Sequence, residues 1–190
     1  VEHLQENIAT LVEQGRPVPP SYVVALGAYR SLFMFPWAQK LSERKWTDNI
    51  KSVFKRQISE PLEERSLRDQ IPCVTPIQNS ISKSVREQYE ENPYPRWIKA
   101  GLAYKSRTVG NILKSAPLFF DLGDYASPGS PEILVAGCGT GQHVLNAASR
   151  FSNARVLAVD LSLNSLSYAL RKTNERGFSN IEYTQADIME

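Results

Sequence analysis

The residues best suited to chemistry lie in the last third of the chain. Ile133-Leu-Val-Ala-Gly137-Cys138-Gly139-Thr140-Gly141-Gln142 is an apolar run that breaks into a Gly-x-Gly-x-Gly loop. Glycines let the backbone turn sharply and let a ligand approach where a Cβ would collide. A helix opening behind such a loop offers unpaired N–H groups and the positive end of its dipole. Nineteen residues after Gly141 a second apolar run ends in Asp160, and a third segment leads to Asp187. A carboxylate at the end of the second strand can accept both hydroxyls of a ribose. One at the third can accept from an adenine amino group, with Leu161 and Ile188 on either side of the ring.

These positions need a scaffold, and the pattern supplies one. Glu132–Ala136, Arg155–Asp160 and Asn180–Thr184 read as short buried strands bounded by turn residues. Between them, 141–151 and 162–176 read as helices with Val144, Leu145, Ala148 and Phe151, then Leu163, Leu166 and Leu170, turned inward. Ser162 is placed to cap the second and Gly177 to end it. Strand, helix, strand, helix, strand predicts a right-handed, doubly wound parallel sheet.

Upstream the pattern is helical. Leu4, Ile8, Leu11 and Val12 form an amphipathic stripe over 2–14, and further helices are expected at 21–33, 46–58, 61–70, 78–91 and 106–115. Ser21 is the expected cap of the second. Ile71–Pro76 and Asn92-Pro-Tyr-Pro95 read as extended because their prolines forbid helix, and 123–131 reads as loop. The aromatic cluster of Tyr29, Phe33, Phe35 and Trp37 reads as helix-packing core, or as a groove for a peptide. The fold class is thus α/β, with an all-helical region at 1–77, a joining segment at 78–129 and a partial Rossmann-like domain at 130–190.

Two cofactors suit the loop. A dinucleotide wants Gly-x-Gly-x-x-Gly, whose third glycine packs the helix under a pyrophosphate. Here that position is Gln142, and the glycine comes one residue early. S-adenosylmethionine has no phosphate to cradle and fits Gly-x-Gly-x-Gly with acids after strands two and three. On these residues, 130–190 resembles the first half of a class I S-adenosylmethionine-dependent methyltransferase. The resemblance implies that Gly137, Gly139 and Gly141, with Cys138, Thr140 and Gln142 between and after them, surround the methionyl part and ribose. It implies Asp160 as the ribose acid and Asp187 as the adenine acid. One position departs: Val135 stands where the family often has Asp or Glu. By resemblance a complete sheet has seven strands, so three strands, a start at Val1 and a stop just past Asp187 read as cuts through a longer chain. Such a piece would leave the edge of its third strand bare and prone to pairing.

Ser84–Trp97, with Leu62–Arg65 and Ile71-Pro72 before it, resembles the region preceding the catalytic domain in bacterial methyltransferases joined to tetratricopeptide repeats. In Asn92-Pro-Tyr94-Pro-Arg96-Trp97, Arg96 could pair with the methionyl carboxylate, and Tyr89, Tyr94 and Trp97 could face the sulfonium. Equally, the prolines could fix a turn while the aromatics pack on the sheet. His143 reads as a helix residue without chemistry.

The composition narrows the partners. The chain has 190 residues, 42% hydrophobic and 22% charged, with a net charge of +2. Residues 1–100 carry 14 basic and 12 acidic side chains and 101–190 carry 8 of each, so no half offers a nucleic acid an electrostatic footprint. No apolar run approaches the ~20 residues of a membrane span. Cys73 and Cys138 lack metal-ligand spacing, which points to a reducing cytoplasmic compartment and no metal site. The methyl acceptor, protein or small molecule, is not legible, and no catalytic residue can be named. Two other classes remain open: a non-catalytic cofactor-binding or protein-interaction module whose helical region recruits a protein partner, and an NAD-dependent oxidoreductase.

Overall fold

The computed structural model describes residues 1–91, 93–115 and 129–189. The expected loop at 123–128 and the first residue of the Asn-Pro-Tyr-Pro stretch lie outside them. The chain divides into two compact units, 1–65 and 66–190.

The first unit is helical. Helix α1 (Glu2–Glu13) buries Ile8 and Val12, and α2 (Pro20–Gly27) buries Val23 and Leu26. Pro20 opens α2 at its first position, where a fixed φ and a missing N–H cost nothing; Ser21, the expected cap, lies inside. The helix expected to run to residue 33 stops at Gly27. The Gln57 side chain takes the freed groups there, donating to the Gly27 carbonyl and accepting from the Leu32 N–H, each at 3.3 Å. Tyr29, expected in the helix-packing core, lies beyond that end and is exposed. Phe35 is buried and stacked on Trp37 at 4.9 Å, whereas Tyr29 is outside that cluster. Short α3 (Ala38–Ser42) follows, then α4 (Asp48–Phe54), a wide π turn (Lys55–Ser59) and α5 (Glu60–Leu67). Pro61 explains the wide turn. A proline ring in a helix collides with the carbonyl four residues back, here Gln57, and widening the turn relieves the clash. Ile8, Val12, Leu26, Leu41 and Phe54 meet in this unit's core.

The second unit is built on a three-stranded parallel sheet of order β1 (Glu132–Ala136), β2 (Arg155–Asp160), β3 (Ile181–Gln185). Its register pairs Val135 with Ala158 and Ala158 with Tyr183. The crossover helices are α8 (Gln142–Arg150) and α9 (Leu163–Glu175). Their inward residues Val144, Ala148, Leu166 and Ala169 join Val135, Val156, Ala158 and Tyr183 in one core. Small residues at Ala148, Ala158 and Ala169 let helix and sheet approach closely. On the opposite face Leu134 and Leu157 stand side by side and exposed.

Residues 66–91 and 93–107 pack against this sheet and its helices. The outer edge of β3, which the sequence leaves bare, is closed at its C-terminal part. Gln185 N–H donates to the Pro72 carbonyl (2.8 Å) and Val74 N–H to the Gln185 carbonyl (3.0 Å). Helix α6 (Ser80–Glu91) docks on α9: Glu90 accepts from the Asn164 N–H at 3.2 Å and pairs with Arg68 at 3.1 Å. Residues 101–107 run along α8, held by Asn146 donating to the Gly101 carbonyl at 2.8 Å. Helix α7 (Val109–Ser115) follows. Among the described residues no helix is long and apolar enough to cross a membrane.

Candidate functional site

Beyond the carboxyl ends of the strands lies a cavity of about 490 Å³ within the second unit. Its floor is the glycine loop. The backbone takes positive φ at Gly137 (67°), Gly139 (53°) and Gly141 (78°), the left-handed region that favours glycine. Cys138 N–H donates to the Val159 carbonyl and Gly141 N–H to the Cys138 carbonyl, each at 3.0 Å, curling the chain into α8. Gly137, Cys138, Gly139, Thr140 and Gln142 line the cavity. A Cβ added at Gly137 or Gly139 would meet open space. Gly141 does not line it. There a Cβ would stand 2.6 Å from the Ala169 Cβ and 3.1 Å from the Tyr183 hydroxyl, so this glycine serves the approach of α8 to α9.

Asp160 ends β2 on the cavity wall. One carboxylate oxygen accepts from the Gly139 N–H at 2.7 Å and the other from the Ser162 N–H at 2.9 Å. The acid therefore fixes the loop and the turn into α9 while each oxygen keeps a further lone pair. Ser162 caps α9, its hydroxyl accepting from the Ser165 N–H at 3.0 Å. Leu161 lines the cavity with Ala186 and Ile188, which flank Asp187. Asp187 itself is 2% exposed and is not a lining residue. Its N–H donates to the Thr75 hydroxyl at 2.7 Å, and one carboxylate oxygen accepts from the Met189 N–H at 3.0 Å. The other oxygen is buried with no hydrogen-bond partner among the described residues.

The remaining wall comes from upstream. Val85 and Tyr89, one turn apart on α6, face the cavity, as do Tyr94 and Pro95. Arg96 does not line it; its guanidinium lies 4.6 Å from the centroid of the Tyr168 ring. His143, at the second position of α8, does line it. Ser165 also belongs to the wall. Sequence reasoning missed Val85, Pro95, Ser165 and Ala186. Two of them had a local signal: Val85 stands four residues before Tyr89 on one helix, and Ser165 three after the Ser162 cap.

The thiol of Cys138 is held neutral. Burial pushes its pKa up, and the Asp160 carboxylate adds to the effect. An uncharged, buried thiol is a poor nucleophile, so Cys138 contributes shape. Among the described residues no group of His, Cys, Asp and Glu is placed to hold a metal.

The residues present fit S-adenosylmethionine. The open space at Gly137 and Gly139 would be filled by any side chain. Asp160 retains acceptor capacity toward hydroxyls. Asp187 stands between two lining residues, with one carboxylate oxygen orphaned and buried off the cavity surface.

Residues 133–190 match the Methyltransf_25 family model, described as a methyltransferase domain. A tRNA (guanine-N(7)-)-methyltransferase of Rubrobacter xylanophilus is 38% identical over 58 residues, 30% of this chain and 26% of that protein. A malonyl-(acyl-carrier protein) O-methyltransferase of Acetivibrio thermocellus is 35% identical over 77 residues, 40% of this chain and 26% of that protein. Among solved structures, phosphoethanolamine N-methyltransferase 2 of Haemonchus contortus, in complex with phosphomonomethylethanolamine and S-adenosylhomocysteine, is 33% identical. That match covers 30% of this chain and 13% of that one, with a TM-score of 0.29. The chain spans about a quarter of the length of the curated relatives it matches.

Proposed function

We propose that residues 66–190 form the cofactor-binding part of a class I S-adenosylmethionine-dependent methyltransferase. The observation that carries this is Asp160, tied to the glycine loop through the Gly139 N–H and exposed to the cavity beside Leu161. When bound, the cofactor supplies an electrophilic methyl group on a sulfonium. Every other task falls to the chain. Asp160 accepts from ribose hydroxyls, Leu161 and Ile188 flank the adenine ring, and Asp187 stands beside Ile188 as the acid that the resemblance assigns to adenine. Tyr89 and Tyr94 offer aromatic faces at the upstream wall. The rate enhancement would come chiefly from holding donor and acceptor in line.

Gln142 in place of the third dinucleotide glycine speaks against NAD. The same proposal extends to a bacterial enzyme joined to tetratricopeptide repeats, supported by the Pro93–Trp97 stretch. It also includes a cytoplasmic location, supported by two free cysteines, and a protein partner for the helical unit. The acceptor is left unassigned, because acceptor choice in such folds lies in later strands and loops.

Calorimetric titration of the intact protein with S-adenosylmethionine and, separately, NAD tests this. Saturable binding of the first and none of the second is expected. Asp160→Asn, which turns one acceptor oxygen into a donor, should weaken binding at least about tenfold. Tight NAD binding, or unchanged affinity in Asp160→Asn, would overturn the reading. Binding without methyl transfer to any offered acceptor would move it toward a non-catalytic module.

A further inference from the structure

Besides offering the face of Tyr94 to the cavity, the Pro93–Trp97 stretch is bolted to the glycine loop. Trp97 Nε1–H donates to the Thr140 carbonyl at 2.9 Å, and the Thr140 hydroxyl donates to the Pro95 carbonyl at 2.7 Å. The bonds run in opposite directions between the same two segments, so each restrains the other. Thr140 lies between Gly139 and Gly141 and is 3% exposed. Trp97 is 7% exposed and packs with Leu145 of α8 and Tyr168 of α9. Its ring meets that of Tyr168 edge-on at 5.9 Å, and the Tyr168 hydroxyl donates to the Trp97 carbonyl. The turn is therefore anchored on both helices. Its Tyr94 and Pro95 line the cavity whose floor it holds.

We infer that the Pro95–Trp97 turn sets the conformation of the glycine loop, with Trp97 and Thr140 as positioning residues for the cofactor. The inference rests on reading the cavity as the S-adenosylmethionine site. Its physical basis is loop entropy. Three glycines in a run of five residues give the loop many accessible conformations. Apparent affinity falls in proportion to the fraction of time a site spends in its binding-competent shape. Two buried hydrogen bonds to the middle of the loop hold that fraction high without touching the ligand.

The test compares isosteric losses with a rescue and a control in the intact protein. Thr140→Val removes the hydroxyl and keeps the shape; Trp97→Phe removes the N–H and keeps a ring. Each should raise the dissociation constant for S-adenosylmethionine about tenfold, measured well below the melting midpoint. The double variant should lose little more than either single one, because the two bonds act together. Thr140→Ser should stay within about twofold of the wild type, its hydroxyl being retained. Asn146→Ala breaks the bond to Gly101 outside the cavity; it should lower the melting midpoint and leave affinity within about twofold. Wild-type affinity in Thr140→Val and Trp97→Phe would overturn the inference. So would an equal loss in Asn146→Ala, which would make the effect one of general stability. If the wild type binds and these variants bind alike, only this inference falls. If the wild type takes up no S-adenosylmethionine, the reading of the cavity falls with it.

Discussion

The three glycines between Ile133 and Gln142 look equivalent in the chain and are not equivalent in the fold. At Gly137 and Gly139 an added methyl group meets open space; at Gly141 it meets the Ala169 Cβ at 2.6 Å and the Tyr183 hydroxyl at 3.1 Å. All three have positive φ, so any alanine costs about 1–2 kcal/mol of backbone strain. Gly141→Ala adds overpacking against α9, worth about 1–3 kcal/mol more. It is expected to lower unfolding stability by about 3 kcal/mol in urea melts. Gly137→Ala should cost about 1 kcal/mol and show its main effect as weaker S-adenosylmethionine binding. A Gly141→Ala variant as stable as Gly137→Ala would mean that α8 and α9 are not in close contact there. The spacing of the motif reveals a need for glycine but not which need, because the neighbour that forbids a side chain at Gly141 is 28 positions away in the chain.

The sheet elements were legible because their signals are local. The strand expected at Glu132–Ala136 forms with those bounds, and Asp160 ends β2 as the pattern required. Ser162 caps α9 and Gly177 takes the positive φ (72°) that ends it. What was not legible depends on partners distant in sequence. Helix α2 ends early through Gln57, some 30 residues on, and no propensity encodes that. Likewise Ile71–Pro76 reads as a plain extended segment, yet it pairs with β3 and braces the turn at Asp187. Thr184 donates to the Pro72 carbonyl at 3.0 Å, and the Asp187 N–H to the Thr75 hydroxyl at 2.7 Å. That brace makes a prediction at the level of the element. Thr75→Val removes the acceptor for the Asp187 N–H and keeps the side-chain shape. A hydrogen bond of about 1 kcal/mol lost there should speed amide exchange at Asp187 roughly fivefold. Amides of α8, none of which bonds to the Thr75 hydroxyl, should keep their rates in the same hydrogen-exchange experiment. Unchanged exchange at Asp187 would show that the Thr75 bond does not hold the turn.

At the scale of the whole molecule, the buried thiol of Cys138 and phenol of Tyr183 each make stability fall in alkali. Both lie in the core of the second unit. Burial raises the pKa of each; the Asp160 carboxylate adds to it at Cys138, and the hydrogen bond with Thr173 partly offsets it at Tyr183. In the unfolded chain they ionise near their ordinary values of 9.0 and 10.0. The folded state then holds protons that the unfolded state has released, so stability falls as pH rises. Below pH about 8 both states keep both protons and neither group contributes a slope. By pH 10.5 the unfolded thiol alone gains roughly 2 kcal/mol and the phenol about 1 kcal/mol more. The wild-type profile sums over every ionisable group of the protein, so alone it does not isolate the effect. The difference from Cys138→Ala does, because every other group is common to both proteins. Urea unfolding at pH 7.5, 9 and 10.5 should give a wild-type stability that declines more steeply than that of Cys138→Ala. The gap between them should close by roughly 2 kcal/mol across the upper interval. Parallel profiles would mean that the thiol ionises within the fold, and that the wall it forms with Asp160 admits water.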